Sequence, residues 1–179
     1  MLRARSEQGS AAVNMNKLRF WRVLVPMVNL LVAFLLFFYP WKCLTVSYQK
    51  TGETICRAPV RTGSEVEVSL THSFEHIPWD ETYTVTENGE FLLEKIAVAG
   101  YGAGIPAEMD VPTRVEGGMV VMENIGSLFP EFRWITSQTN MKTFTVDGSV
   151  ILSFDTIPNH SFVQAKIQTK RGLLFQWLN

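Results

Sequence analysis

The chain has 179 residues, 46% of them hydrophobic, with 16 Lys+Arg, 17 Asp+Glu and two cysteines. That length suits one domain of ordinary size plus an appendage. A formal charge of -1 gives no footing for nucleic acid, 18% charged residues are too few for a charge-rich disordered tail or a coiled coil, and two cysteines build neither a disulfide-dense mini-protein nor a four-thiolate zinc site.

The average conceals two unlike parts. Arg3, Arg5, Lys17, Arg19 and Arg22 open the chain against one acid, Glu7. Then comes a run without charge from Val23 to Tyr39. As a helix it is about 25 Å long, near the lower limit for a bilayer core of about 30 Å. Trp21, Tyr39 and Trp41 stand where interfacial aromatics belong. Arg22 and Lys42 are placed to snorkel to the headgroups. A cleaved signal peptide needs small residues ahead of the cut, and Phe38-Tyr39-Pro40-Trp41 is bulky. The expectation is an uncleaved anchor in the cell membrane. Residues 1–22 form a basic cytoplasmic segment, 23–41 the transmembrane helix and 42–179 an extracytoplasmic domain, oriented by the excess of positive charge. Pro26 and Asn29 are tolerable within such a helix where neighbours or water satisfy the backbone.

After Lys42 the chain reads as short alternating runs broken by Gly, Pro, Asn and Asp. Strands are predicted at 43–48, 54–60, 65–74, 81–87, 90–99, 118–123, 131–136, 142–146, 149–154, 161–168 and 173–178. Asn88-Gly89 and Asp147-Gly148 each join two runs through a two-residue turn that tolerates positive φ. Residues 123–130 are compatible with one helical turn, and 100–118 read as a long loop. The fold class is all-β, a β-sandwich-like domain or an open barrel. Cys43 and Cys56 bracket the first hairpin. A turn on Thr51-Gly52 pairs positions summing to 103, whereas 43 and 56 sum to 99. A disulfide therefore requires a bulge or a longer loop, and the other reading is two separately buried thiols.

The densest polar cluster spans residues 70–83. Alternation puts Val66, Val68, Leu70, His72 and Phe74 on one face of a strand, and Glu81, Tyr83 and Val85 on one face of the next. Pro78 in the link cannot continue a central strand. Registers summing to 153 or 154 bring His72 opposite or beside Glu81, giving a His–carboxylate pair in a partly buried hairpin. That pair has four readings. It fixes the hairpin, or it orients a polar ligand or a partner's side chain. A metal site would draw on His72, His76, Glu75, Asp80 or Glu81, but the spacing of the two histidines does not converge in extended chain. Hydrolysis through Ser73 is disfavoured, because adjacent residues on a strand point to opposite faces. The second distinctive segment is Gly100-Tyr101-Gly102-Ala103-Gly104-Ile105-Pro106. Its glycines permit close backbone approach, either as a turn packing on the 72–83 hairpin or as a pocket rim beside His72. It lacks the Gly-Lys-Ser/Thr of a phosphate cradle.

The run His72-Ser73-Phe74-Glu75…Pro78-Trp79-Asp80-Glu81, followed by Gly102-Ala103-Gly104-Ile105-Pro106, resembles the membrane-anchored family of unknown function numbered 1850 over about residues 41–170. Members show His-Ser-hydrophobic-Glu…Pro-x-x-Glu and then Gly-Ala-Gly-Leu/Ile-Pro; Phe74 stands where Val is usual. The resemblance implies an accessory role beside tripartite ATP-independent periplasmic transporters with a TAXI-type solute-binding protein. The expected function is thus a non-enzymatic, membrane-anchored accessory of a solute-uptake system. It docks to the permease or to its binding protein through His72, Ser73, Glu75, Glu81, Gly102, Gly104 and Pro106, without a cofactor, a metal or nucleic acid. The rival reading is a small-ligand or metal-binding domain using a His72–Glu81 pocket.

Overall fold

The computed structural model describes residues 3–38, 40–100, 102, 110–137 and 139–171. Gly104, Pro106 and the strand predicted at 173–178 lie outside the described residues. The first element is a helix, α1 (Arg3–Phe38). It includes the basic segment and ends before Pro40, whose missing N–H and fixed φ cannot extend a helix. Phe20, Val23, Val25, Met27, Leu30, Leu31, Phe34 and Leu35 are all exposed along it. Among the described residues no helix is long and apolar enough to cross a membrane.

A separate compact unit, Trp41–Lys170, is all β. Its strands are β1 (Pro40–Tyr48), β2 (Thr54–Val60), β3 (Glu65–Thr71), β4 (Pro78–Val85), β5 (Phe91–Val98), β6 (Thr113–Glu116), β7 (Met119–Phe129), β8 (Glu131–Ile135), β9 (Met141–Val146), β10 (Ser149–Ser153) and β11 (Phe162–Arg171), with one 3-10 turn at Phe154–Thr156. They form two sheets, of order β2-β1-β11-β8 and β10-β9-β3-β4-β5-β7-β6. The core lies between them. Leu44, Val46, Ala58, Val163 and Ala165 of the smaller sheet meet Val66, Tyr83, Val85, Phe91, Ile96 and Phe144 of the larger. This is the predicted β-sandwich-like architecture. Pro40 and Trp41 belong to β1 rather than to the helix, and Lys42 donates to Thr62 Oγ1 (2.5 Å) and the Thr86 carbonyl (3.3 Å), tied into the β domain.

The two-residue turn at Asp147-Gly148 occurs as read, with Val146 opposite Ser149, whereas at Asn88-Gly89 Val85 pairs with Phe91 and the Thr86 N–H donates to the Glu90 carbonyl, leaving a three-residue loop. Gly89 has φ 77°, and Asp147 and Gly148 have φ 46° and 77°. Two further segments differ from expectation, and a third point, the cysteines, follows the second of the two readings given for them. First, β6 occupies part of the predicted 100–118 loop; its four residues are all exposed, so it carries no alternation to detect. Second, residues 123–129 are extended rather than helical. The β5–β7 register passes from Leu93↔Ser127 to Lys95↔Glu123, and Asn124 and Gly126 take positive φ within the bulge. On β5 the extra residue is Glu94, which lets Phe91 and Leu93 on one side, and Ile96 and Val98 on the other, all reach the core.

Third, the two cysteines face opposite sides of their sheet. Cys43 lies opposite Pro59 and Cys56 opposite Val46. The strand period of two puts Cys56 on the side of Leu44 and Val46, and Cys43 on the other. Both remain thiols, and no bulge or longer loop changes that parity. Burial pushes the Cys56 thiol up to about 11, with Cys43 adding a smaller increment.

Candidate functional site

Strand β3 stops at Thr71, one residue before His72. The hairpin register is Val68↔Glu81, Leu70↔Trp79 and Thr71↔Pro78, so opposed positions sum to 149. This overturns the predicted pairing of His72 with Glu81. Pro78 is the cause: it opens β4 instead of lying in the link. A first strand position needs no donor from it, and its carbonyl accepts from the Ala99 N–H at 3.0 Å.

Residues 72–77 close as a tight turn. The His72 N–H donates to the Ile77 carbonyl (2.8 Å), and the His76 N–H to the His72 carbonyl (2.9 Å). The Glu75 N–H donates to His72 Nδ1 at 3.2 Å. His72 is therefore a backbone-capping acceptor. Its ring stacks on Trp79, with centroids 5.7 Å apart and planes inclined 18°. His76 adopts φ 56°, a left-handed conformation that non-glycine residues seldom hold without tertiary support. The second motif supplies such support. A Cβ on Gly102 would lie 2.3 Å from Glu75 Oε1 and 2.8 Å from Glu75 Cγ, and one on Gly100 3.3 Å from Ile77 Cδ1. Gly100 and Gly102 let the backbone there come up against the turn, the first of the two arrangements expected of this segment. Ser73 is exposed, and Phe74 at the tip is 72% exposed.

Glu81 belongs to a different constellation. Trp79, Glu81 and Tyr83 share the inner face of β4. The Trp79 indole N–H donates to Glu81 Oε1 (3.0 Å), and the Tyr83 hydroxyl to Oε2 (2.6 Å). Burial, with the adjacent Glu81 carboxylate, drives the Tyr83 pKa well above its ordinary value, so the phenol stays a donor. His72 and Glu81 are thus joined through Trp79 rather than to each other.

Nothing in the residue pattern indicates what surrounds Glu81. Four strands face seven, with neighbours about 4.8 Å apart, and the smaller sheet ends at β8. Between β8 and the inner face of β9, β3 and β4 lies a cleft of about 380 Å³. Its wall includes Val68, Leu70, Glu81, Tyr83, Phe129, Phe132, Trp134, Met141 and Phe144. Phe132 is the hub, with ring centroids 4.2 Å from Phe91, 4.7 Å from Tyr83 and 6.0 Å from Phe129. The alternation of β8 puts Phe132 and Trp134 inward, and Glu131 and Arg133 on the opposite face. There Glu131 pairs with Lys166 and Arg133, each at 2.5 Å. The Lys166 ammonium, followed by Arg133, holds the Glu131 carboxyl below its usual range.

The structure thus gathers His72, Glu75 and Gly102 at one turn, with Ser73 displayed beside them, and sets Glu81 apart in the cleft. Among the described residues no group of three or more His, Cys, Asp and Glu side chains is placed to hold a metal. The aromatic cleft wall went unread because Phe129, Phe132, Trp134 and Met141 come together only through the pairing of the sheets. The family model of a domain of unknown function (DUF1850) matches residues 66–152, a span that contains both motifs and supports the resemblance to that family. The chain matches no curated protein and no solved structure.

Proposed function

We propose that the protein is a membrane-anchored, non-enzymatic accessory of a solute-uptake transporter of the tripartite ATP-independent periplasmic type. Its β domain docks through the 72–77 turn onto the permease or a TAXI-type solute-binding protein. The observation that carries this reading is the exposure of Phe74. It crowns a turn closed by two backbone hydrogen bonds and one imidazole bond, and backed by Gly102. An apolar ring held out on a pre-formed turn loses little conformational freedom on burial, which favours binding.

The anchor supports the same reading. Residues 23–38 of α1 carry no charge, Val23, Val25, Met27, Leu30, Leu31, Phe34 and Leu35 along the helix are exposed, and five basic residues precede the run. A helix apolar around most of its circumference suits a bilayer better than water. Tethering raises the local concentration of a membrane partner, so that weak contacts at the turn suffice. The β domain then lies outside the cytoplasm.

Co-purification after mild detergent extraction tests the docking. Transporter subunits are expected to elute with the wild-type chain and to be lost with Phe74→Ser. A wild-type chain that elutes free of them overturns it. A C-terminal reporter active only in the cytoplasm would reverse the topology.

A further inference from the structure

We propose that the cleft between β8 and the β9-β3-β4 face is a binding site for a small organic cation with an apolar body, an alkyl- or arylammonium, with the Glu81 carboxylate as counter-ion. The site is independent of the docking turn. A volume of about 380 Å³ falls within the range of small-molecule sites, about 300–1,000 Å³. The wall is mainly aromatic and aliphatic; its polar members are Glu81 and Tyr83 on the inner face and Glu131 and Arg133 on β8, which pair with each other, so Glu81 is the charge without an ionic partner.

Charge decides the ligand class. Trp79 and Tyr83 fix both oxygens of Glu81, but each is a neutral donor, so they orient the carboxylate without cancelling it. Among the described residues no Lys, Arg or His forms an ion pair with Glu81. Arg133, which lines the cleft, and Lys166 are both engaged by Glu131, and neither Lys95 of β5 nor Lys142 of β9 forms an ion pair with Glu81. A carboxylate in a partly desolvated apolar cleft is stabilised by an opposite charge. An inorganic cation is a poor candidate, because calcium and magnesium require several oxygen ligands and no cluster of metal-binding side chains surrounds Glu81 among the described residues. An ammonium carried on an apolar body answers both features. The charge meets Glu81, while Phe132 and Tyr83, packed edge to face with centroids 4.7 Å apart, supply aromatic wall for the apolar body. An anion would meet repulsion, and a neutral molecule would leave the carboxylate uncompensated.

The test uses the full chain in detergent micelles, followed by tryptophan fluorescence. It is titrated with choline, with the uncharged isostere 3,3-dimethylbutan-1-ol and with the anionic 3,3-dimethylbutanoate. Choline is expected to bind about tenfold or more tighter than the alcohol, as one charge-assisted contact implies, with the carboxylate weakest. Glu81→Gln is expected to lower choline to the level of the alcohol and to leave the alcohol unchanged. Equal binding of choline and the alcohol by the wild-type chain overturns the proposal, and that comparison needs no variant. So does a choline preference that survives Glu81→Gln, or the absence of binding by both choline and benzyltrimethylammonium. Co-purification through Phe74 is read separately, so failure of either proposal leaves the other standing.

Discussion

The two ends of β4 are stabilised by different means. At Pro78 and Trp79 the chain is held by the 72–77 turn, a matter of short backbone bonds, one imidazole nitrogen and two glycines that admit a neighbouring strand end. At Glu81 and Tyr83, four and six residues beyond the turn, the environment consists of rings contributed by β5, β7, β8 and β9. The turn's shape depends on residues close in sequence and on one approaching loop. The cleft's shape depends on how a four-stranded sheet sits on a seven-stranded one. Substitutions at the two places should therefore separate stability from recognition.

The largest expected effect is in the cleft wall. Phe144 is 1% exposed and its ring lies within 6.5 Å of Phe132, Trp134 and Phe154. Phe144→Ala should cost about 3–5 kcal/mol in chemical denaturation, as for other buried aromatic truncations. A smaller loss would mean that the cleft collapses to fill the space. Next is the contact between turn and loop. Gly102→Ala should cost about 1 kcal/mol through overpacking against Glu75. In a double-mutant cycle, Glu75→Ala should remove most of that penalty, and strict additivity would sever the two motifs.

A weaker effect is expected from Cys56. Its folded-state pKa of about 11 exceeds the ordinary 9.0, so the folded chain retains a proton that the unfolded chain releases. Its stabilising contribution is complete below pH 9 and declines as pH rises through 11. Unfolding curves at pH 8 and pH 10.5 should differ less in Cys56→Ala than in the wild type. The smallest effect on stability is expected at the turn tip. Phe74→Ser should leave the unfolding midpoint unchanged while abolishing co-purification, and a large loss of stability there would show that the ring supports the fold rather than a partner.

Much of the sandwich was legible because one face of each strand is buried. The bounds of β2 and the turns at Gly89 and Gly148 follow from alternation and from residues that accept positive φ. The approach of Gly102 to the 72–83 hairpin was legible as well, since alternate glycines announce close packing without saying against what. The hairpin register was not. It depends on His76 adopting φ 56°, which histidine does not signal, and on Pro78 serving as a strand start. A shift from 153 or 154 to 149 then moved His72 from Glu81 to Ile77. Strand β6 escaped notice because nothing in Thr-Arg-Val-Glu is buried. Its attachment at the sheet margin comes instead from the ladder to β7 and from ion pairs of Arg114 with Glu116 and Glu123.

The opposed orientation of Cys43 and Cys56 has a consequence for biogenesis. No covalent staple joins the first two strands, so the domain completes its assembly without an oxidant, an oxidoreductase or an isomerase. Its folded form is the same under reducing and oxidising conditions. Dithiothreitol should leave its unfolding curve where it was.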